Sequence, residues 1–244
     1  MVKKVVYLTI DDAPSKDFRE KVDFLLSKNI PAVFFCRGDF LEQRTDAVVY
    51  AIKKGFIIGN HSYDHRRFSD LTLEQCFEEI QRTDKIIDEL YKKAGVRRPA
   101  RFFRFPFGDK GASKNTEAFE PIQEFLRKLG YKQPKFKGIT YKYFRRDGLA
   151  NDADWYWTYD VLEYAVFNKE NVHRKFFGID NFEKVFERLD KDVPDGYGRY
   201  GGLNYSQSEE IILLHDHSET THMFRPIIER LLAKGIIFKP PPPE

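Results

Sequence analysis

Val5-Val6-Tyr7-Leu8-Thr9-Ile10-Asp11-Asp12-Ala13-Pro14 decides the fold class. Val5 to Ile10 run without a charge and stop at two carboxylates and a proline. A strand with one wet face alternates apolar and polar residues, so an unbroken apolar run is a strand buried on both faces. Such strands belong to parallel sheets covered by helices. The flanking sequence repeats the unit. Residues 18–28 carry Val22, Leu25 and Leu26 at helical spacing, and residues 32–36 read as a second strand. The pattern then predicts a helix over 41–54, a strand over 56–59, a long helix over 73–94 and a fourth strand over 101–105. A helix over 119–129 follows. Late in the chain come a strand over 211–214, a helix over 224–234 and a last strand over 236–238. Gly55, Gly95, Gly130 and Gly235 stand where helices end.

The expected class is therefore α/β, with a parallel sheet in a barrel or a doubly wound arrangement. The 244 residues suit one domain of that kind. A hydrophobic fraction of 41% with 32% charged residues excludes a disordered chain. A net charge of +3 is too mild for nucleic acid as partner. Cys36 and Cys76 cannot make a disulfide framework and read as small buried apolar residues. No apolar stretch approaches the ~18–20 residues of a membrane span. The first apolar run is also too short for a signal-peptide core. That implies a cytoplasmic protein if Met1 is the native start and an exported one if the natural chain starts earlier. An aromatic fraction of 16% suits a core and also a cleft for a flat, carbohydrate-like ligand. Residues 168–207 are polar, aromatic and poorly periodic. They read as an insertion with one helix over 181–189. Its stretch from Asp195 to Tyr205 alternates Gly with Tyr, and both a remote surface loop and a cover for the cleft fit it. The catalytic unit then spans 1–239, with a proline-rich tail at 240–244.

Residues with chemistry gather at the predicted C-terminal ends of strands, the edge where α/β folds build sites. Asp11 and Asp12 can share work, one on a metal and one on a proton, or simply form a turn. His61 and His65, four apart, can converge on one ion if the segment makes a helical turn; isolated, they would be solvated surface histidines. With Asp12 they make two His and one carboxylate, a ligand set that leaves a position open for water. Arg104 could orient a carboxylate or make an ordinary ion pair. Asp154-Trp155 could be a packed aromatic turn. His215 ends an apolar strand and is either a satisfied core histidine or an acid–base group. His217 shares its face if the strand continues.

Five such features in order resemble the polysaccharide deacetylase family, carbohydrate esterases acting on N-acetylated glycans. The family's Thr-Phe-Asp-Asp-Gly is similar to Thr9-Ile10-Asp11-Asp12-Ala13, and His-Ser/Thr-x-x-His to His61-Ser62-Tyr63-Asp64-His65. Arg-x-Pro-Tyr/Phe-Gly matches Arg104 to Gly108, Asp-x-x-Asp-Trp matches Asn151 to Trp155, and Leu-x-His matches Leu213 to His215. Ala13 in place of Gly requires the turn after Asp12 to avoid positive φ or accept strain. Asn151 stands in place of an Asp.

The resemblance implies a distorted (β/α) barrel of seven or eight repeats in a single domain. It implies metal-dependent hydrolysis of an N-acetyl, or O-acetyl, group on an oligo- or polysaccharide. Asp12, His61 and His65 would hold a divalent ion, zinc first, with cobalt or manganese as alternatives. Asp11 would be the base, His215 the acid, Arg104 the orienter of Asp11 and Asp154 the orienter of His215. The backbone N–H of Phe107 would face the oxyanion, and Leu213 and Trp155 would wall an acetyl slot. A relative cleaving another amide, a deformylase or cyclic amidase, would use the same parts. A carbohydrate-binding protein without catalysis is the rival from another class.

Overall fold

The computed structural model describes residues 4–111, 117–191, 203 and 207–242. Strand β1 (Val5–Ala13) leads to helix α1 (Phe18–Ser27), then β2 (Ala32–Cys36), α2 (Gly38–Gln43), α3 (Thr45–Lys53) and β3 (Ile57–Asn60). Helices α4 (Leu73–Ala94), α5 (Phe119–Lys128) and α6 (Lys142–Arg146) precede β4 (Tyr159–Asp160). Then come α7 (Val172–Phe177), α8 (Phe182–Asp190), β5 (Glu210–His215), α9 (Thr221–Ala233) and β6 (Ile237–Phe238). All paired strands are parallel, in the order β3-β2-β1-β5-β4, with β6 against the start of β1. Among the described residues no helix is long and apolar enough to cross a membrane.

The sheet curls into a distorted barrel. The strand expected over 101–105 is a single bridge, Asn60 to Phe103, because β3 ends at Asn60 and offers nothing further to pair with. Phe103 also accepts a hydrogen bond from Trp155 N at 2.8 Å, and Thr158 N donates to Ile211 O on β5 at 3.0 Å. Isolated hydrogen bonds thus bring the chain from β3 round to β5 where a regular barrel would have ladders. The helix expected over 41–54 is two helices, since Arg44 leaves helical geometry at φ −130°. Helix α4 keeps its expected bounds: Thr72 and Gln75 form a capping box, and Gly95 takes the left-handed conformation at φ 68° that terminates it.

Parity along β1 separates scaffold from site. Val6, Leu8 and Ile10 join Phe34, Ile212 and Leu214 in the main core under the helices. Tyr7 and Leu213 belong to a separate cluster inside the barrel, and Thr9 and Asp11, of the same parity as Tyr7, both meet Arg104. Arg104 itself is fully buried in the bore and lies over the Phe35 ring. Register places Asp11 beside His215 and Cys36 beside Asn60, so the strand ends share one rim. Cys36 and Cys76 are buried and unpaired.

Candidate active site

Asp12, His61 and His65 bring one oxygen and two ring nitrogens within 4.8 Å of one another. Asp12 Oδ1 lies 3.0 Å from His65 Nε2 and 3.7 Å from His61 Nε2. Yet this buried oxygen has no hydrogen-bond partner. The backbone carbonyl of Arg104 sits 2.8 Å from His61 Nδ1, and a carbonyl only accepts, so Nδ1 carries the proton and Nε2 offers a lone pair. Burial, above all, pushes the His61 imidazolium down to about 4, against the pull of Asp11. Asp12 is held well below the usual carboxylate range: burial opposes ionisation, but His65 and His217 outweigh it. A neutral imidazole lone pair on His61 beside a buried carboxylate oxygen that makes no well-aligned hydrogen bond fits a divalent cation.

The histidine pair converges without the helical turn that its spacing suggests. Ser62 and His65 take φ of 63° and 65°, in a loop tied by Asn60 Oδ1 to Ser62 N and by Glu79 Oε2 to Tyr63 N and Asp64 N. Asp12 and Phe107 share that left-handed geometry, at 61° and 58°, whereas Ala13 stays in the strand. Non-glycine residues held there cost about 1–3 kcal/mol each and gather at functional sites. The strain at the first motif therefore sits on the ligand itself and not on the residue replacing glycine.

Asp11 is fastened by Arg104, whose Nη1 donates to Asp11 Oδ1 at 2.8 Å and to Thr9 Oγ1 at 2.7 Å. Its other oxygen lies 3.6 Å from His61 Nε2. A carboxylate with one oxygen tied and the other at the ligand cluster can take a proton from a water placed there.

On the neighbouring strand, Glu163 Oε1 accepts from His215 N at 2.6 Å and pairs with His215 Nδ1 at 3.1 Å. Burial alone would lower the His215 pKa, but the hydrogen bond and charge of Glu163, with Asp160, push it up to about 10. Burial, mainly, raises the Asp160 carboxyl to about 6. Nδ1 engaged with Glu163 leaves Nε2 to meet a substrate.

The expected partner of His215 is therefore displaced. Asp154 accepts from Gln123 Nε2 at 2.7 Å and pairs with Lys110, far from that role. Trp155 is not a cavity wall either. It is fully buried among Phe35, Phe102 and Phe136, and its carbonyl accepts from Arg104 Nε. The fourth motif's positions fall instead on Asp160-Val161-Leu162-Glu163-Tyr164, with the same spacing but Glu and Tyr in the last two places. The signal that could have found it is the apolar Trp157-Thr158-Tyr159 run leading into Asp160, a strand end.

A cavity of about 630 Å³ opens over these groups. Asp11, Asp12, His61, His65, Phe107, Leu213 and His215 line it, with Trp157 and Tyr164 supplying aromatic walls. Residues Asn168, Asn171, Val172, His173 and Phe177 line it too, so the first part of the insertion narrows the cleft. The Gly/Tyr stretch from Asp195 to Tyr205 lies, apart from Leu203, outside the described residues. His217, expected to matter little, lines the cavity with Nε2 2.8 Å from Asp12 Oδ2.

The polysaccharide deacetylase family model matches residues 1–134, just over half of the 244. A peptidoglycan-N-acetylglucosamine deacetylase of Bacillus cereus is 32% identical over 108 residues, covering 44% of this chain and 38% of that protein. The Bacillus subtilis protein YheN is 24% identical over 241 residues, 98% of this chain and 67% of its own length. This chain thus aligns with little more than a third of the Bacillus cereus relative. Among solved structures, a family 4 carbohydrate esterase from Streptomyces lividans superposes with a TM-score of 0.59 at 21% identity, covering 97% of this chain and 92% of that one. Peptidoglycan deacetylase PdaC of Bacillus subtilis gives 0.60 at 19% identity, covering 96% and 86%. The fold is that of the family 4 carbohydrate esterases, and on the match over its first half the chain belongs to the polysaccharide deacetylase family.

Proposed function

We propose that this protein is a metal-dependent hydrolase that removes acetyl groups from an N-acetylated oligo- or polysaccharide, releasing acetate. One observation carries the reading. The unsatisfied Asp12 oxygen and two imidazole nitrogens converge beside a carboxylate, Asp11, that Arg104 fastens at the same rim. Asp12, His61 and His65 would hold the ion, with zinc the first expectation from the nitrogen-rich donor set. When bound there, a divalent ion supplies Lewis acidity toward the acetyl carbonyl and makes a water easier to deprotonate.

The chain's own residues do the rest. Asp11 accepts the proton of the attacking water as the C–O bond forms. Phe107, exposed on the cavity in left-handed geometry, presents its backbone N–H to the developing oxyanion. His215, kept protonated by Glu163, donates to the sugar nitrogen as the C–N bond breaks, because an amine leaves poorly as an anion. Leu213 offers the acetyl methyl an apolar contact, and Trp157 and Tyr164 offer faces to sugar rings. Acetate release from N-acetylglucosamine oligomers, peptidoglycan and O-acetylated xylan, with and without added zinc, tests the reading. Acetate from the N-acetylated substrates that depends on zinc is expected. No acetate from any of them would leave a glycan-binding protein.

A further inference from the structure

The two oxygens of Asp12 have different surroundings. Oδ1 faces His61 and His65 and has no hydrogen-bond partner. Oδ2 lies 2.8 Å from His217 Nε2. An ionised carboxylate only accepts, so Nε2 is the donor. The backbone that delivers His217 is pinned. Asp216 accepts from Ser15 N and Ser15 Oγ at 2.7 Å and from Lys21 Nζ at 2.6 Å, and its own N–H donates to Asp11 O at 2.8 Å. The carbonyl of His217 in turn accepts from Lys21 Nζ and from Thr220 Oγ1. A fully buried cluster thus fixes the loop after β5 onto the end of β1. The ring of His217 then has a short reach to the Asp12 carboxylate.

We propose that His217 is a positioning residue of the metal centre. Its Nε2–H bond ties Asp12 Oδ2, which turns Oδ1 toward the two imidazole nitrogens and makes Asp12 a one-oxygen ligand. The inference rests on the metal reading above and deepens it. Partners that hold a ligand from behind typically change metal affinity 10–100-fold.

The test uses zinc alone. Full-length protein is stripped by a chelator and titrated with zinc against a chromophoric competitor, in wild type, His65→Ala, His217→Ala, His217→Gln and His217→Leu. Thermal melts of the stripped proteins check folding. His217→Ala is expected to weaken zinc binding by roughly 10–100-fold. His217→Gln, whose amide N–H reaches the same oxygen, is expected to recover most of that affinity. Should His217→Ala fail to fold, Gln against Leu carries the comparison, since the two match in size and differ in the donor. Wild-type affinity in His217→Ala or His217→Leu, with His65→Ala impaired, overturns this role alone. A wild-type protein that takes up no zinc overturns both this role and the metal reading.

Discussion

Glu163→Gln isolates the charge behind His215, the proposed general acid. The glutamine carbonyl can still accept from His215 N and Nδ1, so the hydrogen bonds at 2.6 and 3.1 Å keep an acceptor while the negative charge goes. His215 stands at about 10 against an ordinary 6.5, a rise of 10 − 6.5 = 3.5 pH units. At 1.36 kcal/mol per unit, that is a net preference for the imidazolium on the order of 5 kcal/mol, left after burial opposes the combined pull of Glu163, Asp160 and Asp12. Asp160 remains in the variant. A hydrogen bond to a charged partner exceeds a neutral one by about 1–1.5 kcal/mol, so the variant's His215 pKa should fall by at least about one unit. The basic limb of kcat/KM for acetate release should move down by the same amount. Stability should follow with a defined sign. Because the folded-state pKa is raised, the contribution is complete below about 6.5 and is lost as pH rises from there through about 10. Wild type should therefore exceed the variant by a constant margin at every pH below the variant's own folded His215 pKa, with the gap closing between that pKa and about 10. Ring-proton NMR titration of His215, a pH–rate profile and denaturant melts at several pH values read all three. An unmoved His215 titration in Glu163→Gln would refute the assignment of its protonation to Glu163.

His61→Ala and His65→Ala should each leave a folded protein with little bound zinc by elemental analysis, since each removes one of three protein ligands. Asp11→Asn should keep the metal and lose turnover by roughly 10²–10⁴, the range for a lost proton acceptor. It should also melt earlier, because buried Arg104 loses its anion; retention of most of kcat would remove Asp11 from the base role. Trp155→Ala should cost about 3–5 kcal/mol of stability as a core truncation. Trp157→Ala removes both a cavity wall and a member of the inner core cluster, so it should raise KM several-fold and lower stability together, read by steady-state kinetics on chitin oligomers and by thermal melts.

What the sequence could disclose depended on how far each signal was local. Helix α4 carries its whole specification in spacing and caps and appears where the pattern puts it, whereas β1 starts at Val5 as expected but runs past the apolar stop through Asp11 and Asp12 to Ala13. The convergence of Asp12, His61 and His65 was legible because two histidines and a carboxylate at strand ends lie on one rim of a parallel sheet. Asp154 matches the family's residue type beside a Trp, whereas Glu163, the partner His215 has in the structure, carries no such mark. The competing signal, the strand Tyr159–Asp160, is two residues long and too short to make a period. Strand parity places His217 on the face of His215 if the strand continues, whereas the strand ends at His215 and the next loop turns Asp216 toward β1. Helix α7 buries none of its residues, so no apolar spacing announced the wall it contributes.

Asp11 and His215 are direct register partners on adjacent parallel strands. Strands in a sheet stand about 4.8 Å apart, and that spacing is set by backbone hydrogen bonds that no side chain can stretch. The backbone separation of Asp11 and His215 is therefore a property of the ladder. Asp216, bonded through its N–H to Asp11 O, extends the ladder one residue past the acid and leaves little play. On the proposed roles, such a gauge would constrain the reacting amide and not the rest of the substrate. Discrimination between substrates then has to come from parts that can vary without disturbing the gauge, namely the aromatic rim and the residues from Asn168 to Phe177 that overlook it.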